Sequence, residues 1–195
     1  MASDQSIAPK RAEPDRKTRV PLDERRADVI EAALVEFGKR GYEGTSTSVI
    51  AERAGIQQPY IYAIFESKTD LFLACHEALN ERLLAVFRQQ ANEGVSPAER
   101  LDLMRGAYRR LLEDEAWAQC QFQVLAAGGN RKLRRPIRKG FDRLFRQTVE
   151  ISGAGEPEVA RFFAATTMLS AMTALGEPAE MIDHLTMPTE EGLAA

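Results

Sequence analysis

This chain of 195 residues has two cysteines, two histidines and one tryptophan. Cys75 and Cys120 fall in apolar helical stretches, outside any CxxC or metal-ligand spacing, so they read as buried, reduced thiols and exclude a disulfide framework. The histidines, His76 and His184, sit in no nucleophile, metal or P-loop motif; neither catalysis nor a bound metal or cofactor is expected. Long apolar runs are missing too. None approaches the roughly 20 residues of a membrane span, and the polar start MASDQSIAPK lacks the apolar core of a signal peptide, so no membrane association and a cytoplasmic location are expected. Positive charge is not in excess: a net charge of −3 excludes an indiscriminate nucleic-acid binder, whose affinity comes from many Lys and Arg displacing counterions. Any DNA contact must be local. What remains, 44% hydrophobic and 28% charged, is the composition of a folded globular protein.

The most informative stretch is TSVIAERAGIQQPYIYAIF, residues 47–65. Ile50, Ala54, Ile56, Ile61 and Ile64 recur as one inward face, Ala51 is small where two helices cross, and Gly55 stands where a tight turn needs φ > 0. This spacing predicts a helix-turn-helix. Its second helix, about Gln57 to Ile64, keeps Gln57, Gln58, Tyr60 and Tyr62 outward, as a recognition helix does in a DNA major groove. That helix carries no charge, so reading must rest on amides, hydroxyls and apolar contacts. A Gln side chain bonds adenine N6 and N7 bidentately, which makes Gln58 the best base reader, and Pro59 offers apolar contact to a thymine methyl. Tyr60 and Tyr62 point differently, the first toward a base or phosphate and the second toward a phosphate.

Flanking segments fit around this unit. Residues 1–20, with Pro9, Pro14 and the cations Lys10, Arg11, Arg16, Lys17 and Arg19, read as a disordered basic arm, free to reach a minor groove. A helix of about Asp23–Arg40 follows, its face built of Ala27, Ile30, Ala33, Leu34 and Phe37 and its end set by Gly41. Ser46 is an N-cap that leaves Thr47 free at a helix N-terminus, where phosphate binds readily. Ser67 caps the next helix, about Lys68 to Gln90, and Lys68 can place its ammonium on a phosphate.

From Glu24 to Ala78 the chain resembles the TetR family of bacterial repressors: FGKRGYEGTS, then IAERAGI, then Tyr62–Phe65, then SKTDLF at Ser67–Phe72. The resemblance implies an all-α fold, with a three-helix helix-turn-helix domain (21–67) followed by a helical effector-binding and dimerisation domain (68–187), and a disordered tail (188–195). It places DNA contacts on Thr47, Gln57, Gln58, Pro59, Tyr60, Tyr62 and Lys68. It also implies a homodimer on a near-palindromic operator and release by a small-molecule effector. A helical protein-interaction module without a DNA role is the alternative.

Beyond residue 90, Ser96-Pro97-Ala98-Glu99 is a strong helix start, with an N-cap, Pro at N1 and Glu at N3. Leu101, Met104, Tyr108, Leu111 and Leu112 continue its face, and Trp117, Phe122, Val124 and Leu125 belong to a further helix ending near Gly128-Gly129. The resemblance puts an effector cavity here, near Met104, Tyr108, Trp117, Phe122 and Phe141, though aromatics at this spacing equally suit a filled core. Eight Lys and Arg residues lie between Arg131 and Arg146 against one acid, Asp142. Because Leu133, Ile137, Phe141, Leu144 and Phe145 interleave them at helical spacing, they read as a solvated face rather than a second nucleic-acid surface. Glu156–Leu175 is apolar nearly all round, and a two-fold partner is its simplest cover. The resemblance implies a four-helix dimer interface that combines Pro136–Ile151 with this helix, through Phe141, Phe145, Phe162, Phe163, Met168 and Met172.

Overall fold

The computed structural model describes residues 22–91 and 95–176. The arm expected over 1–20, the tail over 188–195 and His184 lie outside the described residues. The described chain forms α1 (Leu22–Gly44), α2 (Thr47–Arg53), α3 (Gln58–Ile64), α4 (Lys68–Arg88), α5 (Pro97–Leu111), α6 (Glu115–Ala126), α7 (Arg131–Ser152) and α8 (Glu156–Ala174). A 3-10 turn at Ala127–Gly129 joins α6 to α7, and no strand occurs among the described residues.

α1 buries Val29, Ile30, Ala33, Leu34 and Phe37. Ala27, expected on that face, is exposed because the buried stretch begins only at Val29. Gly41 breaks the helix at φ 69°, ψ 178°, a conformation closed to residues with a Cβ. Beyond the break, Ser46 caps α2 by accepting from the Val49 amide at 3.4 Å, and Gly55 turns the chain into α3 at φ 65°. Ile50, Ala51 and Ile61 close the small core of this head. Phe72 of α4 anchors it, with ring centroids 4.8 Å from Phe37 and 5.1 Å from Tyr42.

The head does not stand apart from the rest. A Cβ at Gly38 would meet Gln119 Cβ at 3.2 Å and the Cys120 amide at 3.3 Å, so α1 and α6 cross almost backbone to backbone. One continuous core runs from Val29 to Leu169 through both regions. Both cysteines lie in it as free thiols, and burial pushes the Cys120 thiol up to about 12.

α5 starts on the expected capping box: Ser96 accepts from the Glu99 amide at 3.3 Å, and the Glu99 carboxylate accepts from the Ser96 amide at 2.9 Å. α4 and α7 cross where Gly140 makes room for the buried His76, whose Nε2 lies 3.2 Å from the Ile137 carbonyl. Burial lowers the His76 pKa, against the opposing pull of that carbonyl and of Glu77.

α8 is less uniform than its sequence suggests. Val159, Phe162, Thr166, Leu169 and Ser170 face inward, while Ala164, Thr167 and Met168 are exposed. Phe162, expected at the dimer interface, packs instead edge-on against Phe87 at 5.5 Å and is only 4% exposed. Helical rotation puts it one face away from Ala164 and Met168.

Candidate nucleic-acid interface

α3 is short and held from two sides. Its inner residue, Ile61, is fully buried, whereas Gln58, Pro59, Tyr60, Tyr62 and Ala63 are exposed. Gln57 is the N-cap in extended conformation, so the outward helix begins at Gln58, one residue later than expected. Pro59 occupies the first turn, where its missing N–H leaves no intrahelical bond unmade.

Thr47 is not free, contrary to the expectation from the capping pattern. It is 4% exposed, and its hydroxyl accepts from Gln58 Nε2 at 2.7 Å and lies 3.0 Å from the Tyr62 hydroxyl. The cause is the tight turn at Gly55, which folds α3 back across the start of α2. Three of the expected contact residues are thus one hydrogen-bonded unit. Gln58 keeps its carbonyl oxygen and a second amide hydrogen for outside partners, so the bidentate pattern for adenine stays available while Thr47 fixes the side chain.

Lys68, at the start of α4, is also partly engaged. Its Nζ donates to the Thr45 carbonyl at 2.9 Å and sits 4.6 Å from the centroid of the Tyr42 ring. An ammonium has three donors, so two remain for a phosphate. Tyr42 is held by its own hydroxyl, 2.9 Å from Thr69 Oγ1. Thr45 ties the kink together, reaching the Gly41 carbonyl at 2.7 Å and the Glu36 carbonyl at 3.0 Å.

Beneath these residues lies a charged clamp absent from the sequence reading. Glu36 is 3% exposed and pairs with Arg53 at 2.5 Å and Arg40 at 3.1 Å. The Glu36–Arg40 spacing of i, i+4 was a visible signal; the Arg53 partner needs the tertiary fold. The pair locks α2 onto α1.

Farther up, Tyr108, Phe122 and Phe141 line one pocket with Gln121, Phe163 and Ser170, and among the described residues no charged side chain borders it. Only about 20 Å³ is free inside, room for about one water. Met104 and Trp117, expected in the cavity wall, do not line it: both are fully packed, and Trp117 meets Tyr108 edge-on at 5.7 Å. The Tyr108 hydroxyl lies 3.0 Å from Gln121 Oε1 and 2.5 Å from Ser170 Oγ. Phe122 and Ser170 also border a neighbouring space of about 230 Å³ between α6 and the end of α8. Phe141 and Phe163, which line the pocket, are half-buried, as are Phe145 and Met172, and Met168 is 47% exposed.

Residues 29–75 match the family described as bacterial regulatory proteins, tetR family. The activator FasR of Mycolicibacterium smegmatis is 33% identical over 101 residues, which make up 52% of this chain and 46% of that protein. This chain spans less than half the length of the curated relatives it matches first. Among solved structures, a TetR-like transcriptional regulator from Rhodococcus sp. RHA1 superposes over 86% of this chain and 96% of its own, with a TM-score of 0.66 and 23% identity. The regulator FadR of Bacillus subtilis, solved in complex with stearoyl-CoA, covers 80% of this chain and 91% of its own, with a TM-score of 0.62 and 19% identity.

Proposed function

We propose that the protein is a homodimeric transcriptional regulator that reads operator DNA with α3 and is released by a small molecule, in keeping with the match of residues 29–75 to the bacterial regulatory proteins of the tetR family. The observation that carries this reading is the exposed, uncharged face of Gln58, Pro59, Tyr60 and Tyr62, held by hydrogen bonds to Thr47. Gln57 and Lys68 flank it as phosphate contacts. An uncharged reading helix gives little nonspecific affinity, which suits a protein of net charge −3 that must find one site.

The head is residues 21–67 in function, although its core is continuous with the rest. Dimerisation uses the outer faces of α7 and α8 through Phe141, Phe145, Phe163, Met168 and Met172, which leave apolar surface uncovered in one protomer. The effector is apolar or amphipathic: apolar and aromatic side chains dominate the described lining of the Tyr108–Phe141 pocket, and Glu115 borders the space beside it. It enters when Phe122 moves and joins that pocket to the neighbouring space it also borders. Effector and operator oppose one another through α4 and the α1–α6 crossing, so that binding of the effector releases the protein from DNA. The chain acts in the cytoplasm and not at a membrane; among the described residues no helix is long and apolar enough to cross one.

Recovery of fragments bound by the purified protein from genomic DNA tests this. A small set of near-palindromic sites is expected, with half-sites about 34–36 Å apart or a multiple. Retention of random fragments alone, or of none, would leave a helical interaction module as the better description.

A further inference from the structure

The basic stretch of α7 is not one uniform face, because its two ends lie in different surroundings. Toward the middle, Arg143 pairs with Glu77 of α4, and Arg138 lies 4.0 Å from Asp142. The first turns differ. Arg131, Lys132, Arg134 and Arg135 are exposed, and none of them is in a described ion pair; only Arg134 is tied, by Nε to the Gly128 carbonyl at 2.9 Å.

This end of α7 touches the head. Asn130, the N-cap of α7, donates from Nδ2 to Glu43 Oε1 at 3.1 Å. Glu43 stands two residues before Thr45, whose carbonyl holds the Lys68 ammonium at 2.9 Å. Between the two elements lies a groove of about 280 Å³ bordered by Arg40, Tyr42, Glu43, Gln123 and Asn130. Arg40, exposed near the end of α1 and paired with Glu36, borders the same groove. Through Asn130 and Glu43, the start of α7 is thus tethered beside the link that holds Lys68.

We propose that the exposed cations at the start of α7, Arg131, Lys132 and Arg135 foremost, bind the phosphate backbone of duplex DNA flanking the operator. The proposal rests on the reading of this protein as an operator-binding regulator. Three observations carry it: charge without an ion-pair partner among the described residues, a direct tether from Asn130 to Glu43 at the end of α1, and concentration at one end of a helix in a chain that is acidic overall. Long Arg and Lys side chains bridge the remaining gap, and even without contact, charges within the ~8 Å screening length at physiological salt draw in the backbone. Such contacts add affinity without sequence preference.

Two variants with equal charge change test it. Arg131→Gln/Arg135→Gln removes two cations beside the head; Lys139→Gln/Arg146→Gln removes two others on exposed sites, about 12 and 22 Å up the same helix from Arg131 and about 6 and 16 Å up from Arg135. Binding of a genomic fragment recovered with the protein, and of a random duplex of equal length, is measured from 50 to 200 mM salt.

The first pair is expected to lower the salt slope by about two per protomer, so wild-type affinity falls about tenfold more than the variant's, per protomer, over that range. The preference for the genomic fragment should stay unchanged. The second pair should behave as wild type. Equal slope changes from both pairs would reduce the effect to net charge, and an unchanged slope in the first pair would remove the contact; either result overturns the proposal. If the wild type shows no preference for any fragment, the operator-binding reading fails first, and this inference with it.

Discussion

Gly140→Ala probes the packing of α7 against α4. In the interior of a helix this substitution ordinarily stabilises, by about 0.5–1 kcal/mol, because glycine loses more backbone freedom on folding. At Gly140 the sign should reverse. The added Cβ would lie 2.3 Å from His76 Nε2, 3.0 Å from its Cδ2 and 3.2 Å from Asn80 Nδ2, so the ring must move by about an ångström or α7 must lift from α4. His76 is 4% exposed and has little space to move into. Overpacking at such a site costs about 1–3 kcal/mol, and loss of the contact with the Ile137 carbonyl adds about 0.5–1.5 kcal/mol. The expected net destabilisation is about 1–3 kcal/mol. Urea unfolding at fixed protomer concentration measures it, the concentration being held because dimerisation would otherwise shift the midpoint. The decisive comparison is a cycle with His76→Ala. In that background the ring is gone, and Gly140→Ala should stabilise by about 0.5–1 kcal/mol. A Gly140→Ala change that destabilises equally in both backgrounds, or that stabilises the wild type, would refute the steric argument.

Because burial holds the His76 pKa below its ordinary 6.5, the unfolded chain takes up the proton first as pH falls. The neutral ring's contribution is therefore complete above that value and is lost as pH drops through it; His76→Gln should flatten unfolding midpoints between pH 7 and 5, and an unchanged profile would remove His76 as the cause. Met168→Glu together with Phe163→Glu should convert the dimer to monomer in sedimentation at micromolar concentration, whereas persistent dimer would move the interface elsewhere. Lys68→Ala should weaken operator and random duplex alike and lower the salt slope by about one; loss confined to the operator would make Lys68 a base reader. An effector that quenches Trp117, packed 5.7 Å from Tyr108, should bind less tightly in the presence of operator by the same factor, about 5–150-fold, by which it weakens DNA binding. Equal affinity with and without operator would show that the compound is no inducer.

The helix-turn-helix was legible because its signals are local. Ser46, Gly55 and Ser67 set helix ends by backbone chemistry, and each stands at such an end in the structure. Ile50 and Ile61 were likewise readable, since helical periodicity alone puts them inward. Thr47 was misread because its partners, Gln58 and Tyr62, are 11 and 15 residues away and meet it only through the turn. Arg53 on Glu36 was invisible for the same reason. Trp117 and Phe162 show the other limit. Aromatic periodicity marks a buried face but not which side of the wall it serves, and both side chains proved to be core. The basic run on α7 read as one solvated helix face, since sequence spacing gives no hint that Asn130 reaches Glu43.

The most direct test of the central claim is the discrimination of Gln58→Ala between a recovered operator and a random duplex at one salt concentration. If α3 reads DNA as its exposed face suggests, the operator loses about 1–3 kcal/mol of binding while the random duplex is unaffected. A Gln58→Ala protein that prefers its operator as strongly as the wild type would contradict the assignment of α3 as the reading helix.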